Sequence, residues 1–192
     1  MSQTASDTIY LAHYDPRWPQ MFQEERTRLQ ATIGEWAADI QHVGSTAVPG
    51  LAAKPIIDIA VHLHSLIDGF KCITPLVELG YDCLGEFGIP DRIYFRKPTD
   101  TPLPGQRAGH DRIGRTHQIH MYPLNHDQYA KQVLFRDYLR AHADAAREYE
   151  ELKRELAVRY ARDIEAYANA KSDFVQSILR SAALARSPSP AE

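Results

Sequence analysis

Residues 41–61 read Gln41-His42-Val43-Gly44-Ser45-Thr46-Ala47-Val48-Pro49-Gly50-Leu51-Ala52-Ala53-Lys54-Pro55-Ile56-Ile57-Asp58-Ile59-Ala60-Val61. A strand-like run ends in Gly44-Ser45-Thr46, and a second strand follows at 56–63. In that second strand the odd positions Ile57, Ile59, Val61 and Leu63 are apolar, while the even set is Asp58, Ala60 and His62. Side chains alternate across a strand, so Asp58 stands on the face opposite the buried isoleucines. Small residues after a strand let backbone N–H groups approach a phosphate. A carboxylate facing that turn suits a divalent cation bridging phosphate oxygens. On pattern alone the same residues better suit an ordinary turn with a locally paired aspartate, because Gly-Ser turns are common. No Walker A sequence, dinucleotide fingerprint or G-x-S-x-G elbow occurs in the chain.

Outward from this stretch, Tyr14-Asp15-Pro16-Arg17-Trp18 predicts a helix start, with Asp15 as N-cap and Pro16 at the first helical position. Trp18, Phe22, Leu29, Ile33 and Trp36 supply its core-facing stripe. Further strands are expected at 40–43, 81–84, 92–96 and 118–122, with a helix at 66–79 closed by Gly80. Residues 97–116 are rich in Pro, Gly and Arg and read as a mobile loop. From 126 to 183 the apolar spacing is helical. The order predicts an α+β protein with one sheet and a helical C-terminal third. A single domain is expected over 8–183, flanked by flexible tails at 1–7 and 184–192.

With 44% hydrophobic and 24% charged residues in 192, the chain has enough apolar surface to exclude a disordered protein. A formal net charge of -3 gives no bulk attraction to nucleic acid or anionic membrane, so neither is an expected partner. Phosphate binding would need a local cluster, and Lys54, Arg92, Arg96, Lys97, Arg107, Arg112 and Arg115 crowd the middle of the chain. The two cysteines, Cys72 and Cys83, lack metal or disulfide-scaffold spacing. No apolar run reaches spanning length and the first residues are polar, which points to a cytoplasmic protein.

The block from His42 to Ile59 resembles the hallmark of the GrpB family. Gly88-Ile89-Pro90-Asp91-Arg92-Ile93-Tyr94-Phe95 agrees, as do Phe135-Arg136-Asp137-Tyr138-Leu139-Arg140-Ala141-His142 and the later Tyr149, Lys153, Tyr167 and Lys171. The resemblance spans roughly residues 8–182 and implies a nucleotidyltransferase-like fold: a small mixed sheet packed with helices. It also implies binding of a nucleotide or another phosphorylated small molecule. Nucleotidyl transfer would be assisted by a divalent metal, Mg²⁺ or Mn²⁺. Superfamily chemistry uses a Gly-Ser turn and then two acids two residues apart on one strand face. Gly44, Ser45 and Asp58 fit that device. Ala60 takes the second acid's place on the same face, which leaves a gap in the site, and Glu86 is a candidate displaced acid.

On this reading Asp58 is the catalytic and metal-binding residue. His120, sharing a strand face with Gln118, is a second metal ligand, one that would favour Zn²⁺ or Mn²⁺. Gly44, Ser45, Thr46, Lys54, Arg92 and Lys171 are the candidate phosphate or nucleotide contacts, and Lys153 could also point at a triphosphate. Arg136 and Asp137 are expected to seat their helix on the sheet. His62 lies about 13 Å along the strand from Asp58 and reads, with His64, as a surface residue. Two other functions suit the same residues. The resemblance implies a non-catalytic partner domain of the type fused to dephospho-CoA kinase, assisting that enzyme's folding. A metal-dependent hydrolase built on Asp58 and His120 is the other.

Overall fold

Alternation along β2 (Ile57–Leu63) sorts the whole sheet into two faces. The computed structural model describes residues 9–99 and 114–186. Among these, β1 (Ala37–Val43), β2, β3 (Asp82–Cys83), β4 (Ile93–Thr99) and β5 (Gly114–Pro123) form one sheet in the order β1-β2-β5-β4-β3. β2 and β5 pair in parallel and the other neighbours pair antiparallel. The helices are α1 (Trp18–Ile33), α2 (Leu66–Lys71), α3 (Ile73–Glu78), α4 (Asp127–Ala141), α5 (Ala143–Arg159), α6 (Ile164–Asn169) and α7 (Ser172–Arg186). This is the α+β architecture with a helical C-terminal third that the residue pattern predicts.

On one face Ile57, Ile59, Val61 and Leu63 join Ile40, Ile93, Phe95, Ile119 and Met121. They bury against Trp18, Phe22, Leu29 and Ile33 of α1 and Leu76 of α3. Burying each such side chain contributes about 1.5–3 kcal/mol, an upper figure for a chain already partly compact when unfolded. The other face is set by register: Gln41 opposite Ala60, Ala60 opposite His120, Asp58 opposite Gln118, and Tyr94 opposite His120. α4 covers one end of it. Val43, Ala60, Tyr122 and Tyr129 pack together there, and the Tyr129 hydroxyl donates to Asp39 Oδ2 at 2.6 Å. Arg136 Nη1 donates at 2.8 Å to both Gln41 Oε1 and the His42 carbonyl, so Arg136 is the residue of its pair that seats the helix. The end carrying Asp58 and Gln118 is left facing the C-terminal helices.

Several sequence expectations shift at their edges. α1 starts at Trp18 with Arg17 at the N-cap and Pro19 in its first turn. Asp15 acts just outside it, accepting the Arg17 N–H at 2.9 Å and pairing its guanidinium. The helix expected at 66–79 is two, broken at Cys72, because Pro75 has no N–H to continue the ladder back to Lys71. β4 reaches Thr99 and β5 begins at Gly114, so both ends of the expected 97–116 loop are strand. The centre of that loop, with Arg107 and Arg112, lies outside the described residues, as do 1–7 and 187–192. α7 extends to Arg186 and takes the first residues of the expected tail. His62 is not a surface residue: its ring stacks on Tyr129 at 4.1 Å, covered by a helix that is distant in sequence.

Candidate functional site

The Gly-Ser turn becomes a single 3-10 turn, Ser45–Ala47, entered through Gly44 at φ +70°. Val43 and Asp58 are register partners, which brings Gly44 against the carboxylate: a Cβ there would stand 2.4 Å from Asp58 Oδ2. Glycine is required both for the left-handed φ and for the close approach. Gly44→Ala should therefore cost about 2 kcal/mol in urea unfolding and displace the Asp58 side chain. A Gly44→Ala protein of parental stability would show that the turn has another conformation available.

Thr46 is fixed by its neighbours. Its hydroxyl donates to the Ile56 carbonyl at 3.2 Å, so it accepts from His42 Nε2 at 3.0 Å. Burial, reinforced by Arg140 and Arg136 against the pull of Asp58, lowers the His42 pKa to about 4, so the ring is a neutral donor at this bond.

Beside the turn lies an open pocket of about 170 Å³, bounded by Ser45, Thr46, Lys54, Asp58, Arg115, Gln118, Lys153, Tyr167 and Lys171. Lys153, 2% exposed, donates to the Ala52 carbonyl, lies 3.2 Å from Ser45 Oγ and sits over the Tyr149 ring. Burial and then the charge of Lys171 push the Lys153 pKa down to about 7. Lys171 falls to about 8, through burial first and Lys54 second, with Asp58 opposing. The ammonium groups of Lys54 and Lys171 lie 5.1 and 4.3 Å from the centre of the Tyr167 ring. With the Gln118 amide turned to satisfy its neighbours, its nitrogen donates to Asp58 Oδ1 at 3.1 Å and its oxygen accepts from Arg115 Nε. Lys54, Lys171 and Arg115 thus share the pocket with one carboxylate and the buried Lys153, a charge balance that favours an anion.

The residues present do not fit a resident metal centre. His120 Nε2 stands 3.8 Å from Asp58 Oδ1, but no third His, Cys, Asp or Glu joins them among the described residues. Zinc sites draw three or four protein ligands. Ala60 shares the Asp58 face and leaves the second acid missing, as expected, and its position is sealed: it is 0% exposed, packed with Val43, Tyr122 and Tyr129. Glu86 is not a displaced acid at the pocket. It is exposed and accepts the Asp91 N–H at 2.8 Å, closing its own loop.

The structure gathers Gly44, Ser45, Thr46, Lys54, Asp58, Arg115, Lys153 and Lys171, and adds Gln118. Arg92 and His120 stand beside the pocket. Arg92 donates to the Glu86 and Phe87 carbonyls at 3.1 and 2.6 Å and faces His120 Nδ1 at 3.4 Å. Lys97 is on the opposite face, 2.7 Å from Glu25 Oε1. Arg96 stacks over Phe87 and Tyr94. Tyr167 lines the pocket, although aromatic residues at helical spacing usually mean packing. Among the described residues no helix is long and apolar enough to cross a membrane.

A family model described as GrpB protein matches residues 8–181. A UPF0157 protein of Pseudomonas aeruginosa is 42% identical over 188 residues, covering 97% of this chain and 73% of that protein. A dephospho-CoA kinase of Mycolicibacterium paratuberculosis is 32% identical over 194 residues, 94% of this chain but 47% of the kinase. The crystal structure of GrpB from Enterococcus faecalis aligns with a TM-score of 0.76 at 32% identity, covering 90% of this chain and 96% of that one. The Cid1 poly(U) polymerase bound to MgGTP shares the fold at a TM-score of 0.50 and 14% identity, over 77% of this chain and 44% of that one.

Proposed function

The chain belongs to the GrpB family, and from that premise we propose that its pocket binds the phosphate groups of a nucleotide or a similar phosphorylated small molecule. The observation that carries this reading is the convergence of Lys54, Lys171 and Arg115 on the Gly44-Ser45 turn beside Asp58. Lysine and arginine suit phosphate oxygens, and the shared nucleotidyltransferase-like fold supports a nucleotide as the ligand. Asp58 is the group placed to act if a nucleotidyl group is transferred. Asp58 is the residue that would hold a divalent cation, Mg²⁺ or Mn²⁺, arriving with the phosphates, and the cation would supply charge neutralisation there.

Calorimetry with ATP, CTP, GTP, UTP and pyrophosphate, each with and without Mg²⁺, tests the reading. Lys171→Ala should weaken binding about 10- to 100-fold, the worth of one charge-assisted contact. Asp58→Asn should tighten metal-free binding by removing a repulsive charge, and should abolish any gain from Mg²⁺. Lys171 is partly neutral in the empty pocket near pH 8, so an anion that restores its charge must draw in protons. Affinity should therefore fall as pH rises through that region. No binding by any of these ligands, or equal binding by the parent and Lys171→Ala, would overturn the reading.

A partner role toward dephospho-CoA kinase is favoured by one observation, that a similar segment makes up about half of such a kinase. Co-purification of the two proteins tests it, and independent elution would count against it.

A further inference from the structure

Ser45 and Lys153 meet in a way that phosphate binding alone does not require. Lys153 lines the pocket but is only 2% exposed, and its Nζ lies 3.2 Å from Ser45 Oγ. Lys171, by contrast, is half-buried on the pocket wall. A neutral amine has two N–H bonds and one lone pair. One N–H of Lys153 goes to the Ala52 carbonyl and another faces the Tyr149 ring, whose centre is 4.8 Å away. In the charged ammonium the third N–H donates to Ser45 Oγ, and loss of that proton leaves the lone pair facing the Ser45 hydroxyl, which also neighbours the Tyr149 side chain. Ala52 is itself pinned, its N–H donating to Glu150 Oε2 at 2.9 Å, so the carbonyl that orients Lys153 is fixed in turn. A hydroxyl, a base within hydrogen-bond reach and a group that orients the base are the parts of an activated nucleophile. Thr46, next along the turn, cannot serve, since its proton is given to the Ile56 carbonyl.

We propose that Ser45 is a nucleophile with Lys153 as its base, and that the pocket moves a phosphorus-bearing group from a bound phosphoanhydride onto Ser45 Oγ. The inference rests on the reading that the pocket binds a phosphorylated ligand. In the step, Lys153 Nζ takes the Ser45 proton as the Oγ–P bond forms. The anhydride P–O bond breaks, and the leaving group departs with that electron pair. Attack at the terminal phosphorus releases a nucleoside diphosphate and leaves phosphoserine; attack at the first phosphorus releases pyrophosphate and leaves a nucleotidyl-serine. Lys54, Lys171 and Arg115 face the charge that grows on the leaving oxygens.

Lys153 and Lys171 oppose each other electrostatically, with Glu150 and Arg154 on α5, Asp58 on β2 and Lys54 completing the charges around them. Lys153 serves as base above about pH 7 and Lys171 holds phosphate below about pH 8. The pair titrates together, so adduct formation should peak between those values and fall on both sides.

The test is intact-protein mass spectrometry after incubation with Mg²⁺ and nucleoside triphosphate labelled at either the first or the terminal phosphorus, beside calorimetry on the same samples. One covalent group per chain is expected, absent in Ser45→Ala, with formation about a hundredfold slower in Lys153→Met. Thermal unfolding shows whether Lys153→Met is folded, and the parent's pH profile tests the base without any variant. Retention of either label supports the proposal and identifies the phosphorus attacked. Binding without an adduct, or an adduct that survives Ser45→Ala, overturns it and leaves the phosphate reading standing. Neither binding nor adduct overturns both, and calorimetry separates the two results.

Discussion

Ala60→Asp is expected to weaken the fold by about 3–5 kcal/mol, the cost of an uncompensated buried charge, and to leave divalent-ion affinity unchanged. The two-acid device that the family resemblance implies would put its second carboxylate at position 60, on the strand face that carries Asp58. Here that position is sealed. Ala60 is 0% exposed beneath α4, against Val43, Tyr122 and Tyr129. α4 is held down beside it by the Tyr129–Asp39 hydrogen bond, the stacking of Tyr129 on His62, and the bonds from Arg136 to Gln41 and the His42 carbonyl. His120, the register partner of Ala60 on β5, already faces Arg92 through Nδ1. Urea midpoints and Mn²⁺ titrations of the parent and the variant decide the matter. A stable Ala60→Asp protein that gains a tight Mn²⁺ site would show that α4 yields and that two-metal chemistry is one substitution away.

The same position shows how far the residue pattern reaches. Period-2 alternation places Asp58 and Ala60 on one face, and Gly44-Ser45 marks a turn next to them, because both facts are local to the strand and its neighbour. What lies over Ala60 is not local. It depends on a helix whose own apolar spacing says only that one side is buried. His62 reads as surface for the same reason: a polar residue on an alternating strand looks solvated until Tyr129 stacks on it. Arg92 and Lys97 fail in a second way. A run of basic residues suggests one patch, but alternation along β4 sends Lys97 to the core face, toward Glu25, while Arg92 turns back to carbonyls a few residues away. Lys153 is 108 positions from Ser45, and nothing in helical spacing separates a lysine that reaches a pocket from one in solvent.

Glu25→Ala should cost about 3–5 kcal/mol while leaving the anion affinity of the folded protein untouched, because the residue sits on α1 across the sheet from the pocket. Glu25 is 2% exposed and accepts from Lys97 at 2.7 Å and Tyr81 at 2.8 Å, with Arg28 at 3.3 Å. Burial opposes its charge, but the hydrogen bonds from Lys97 and Tyr81 prevail and hold its pKa below the ordinary value. A carboxylate depressed on folding stabilises the native state above its unfolded pKa, ordinarily near 4.5, and that contribution is lost as pH falls through the folded value. Removing the carboxylate strands a largely buried ammonium and a buried phenol. His117 nearby cannot answer for it as an acid, since burial, working against the pull of Glu25, keeps its pKa down at about 4. The loss should come from stranded polar groups more than from lost attraction. Combining Glu25→Leu, Lys97→Met and Tyr81→Phe should then recover most of the stability that Glu25→Ala removes. Urea unfolding at pH 7 and again below pH 4 should show the gap between parent and Glu25→Ala narrowing in acid. A triple variant no more stable than Glu25→Ala, or a gap that is the same at both pH values, would mean that the cluster stabilises α1 by packing rather than through its charges.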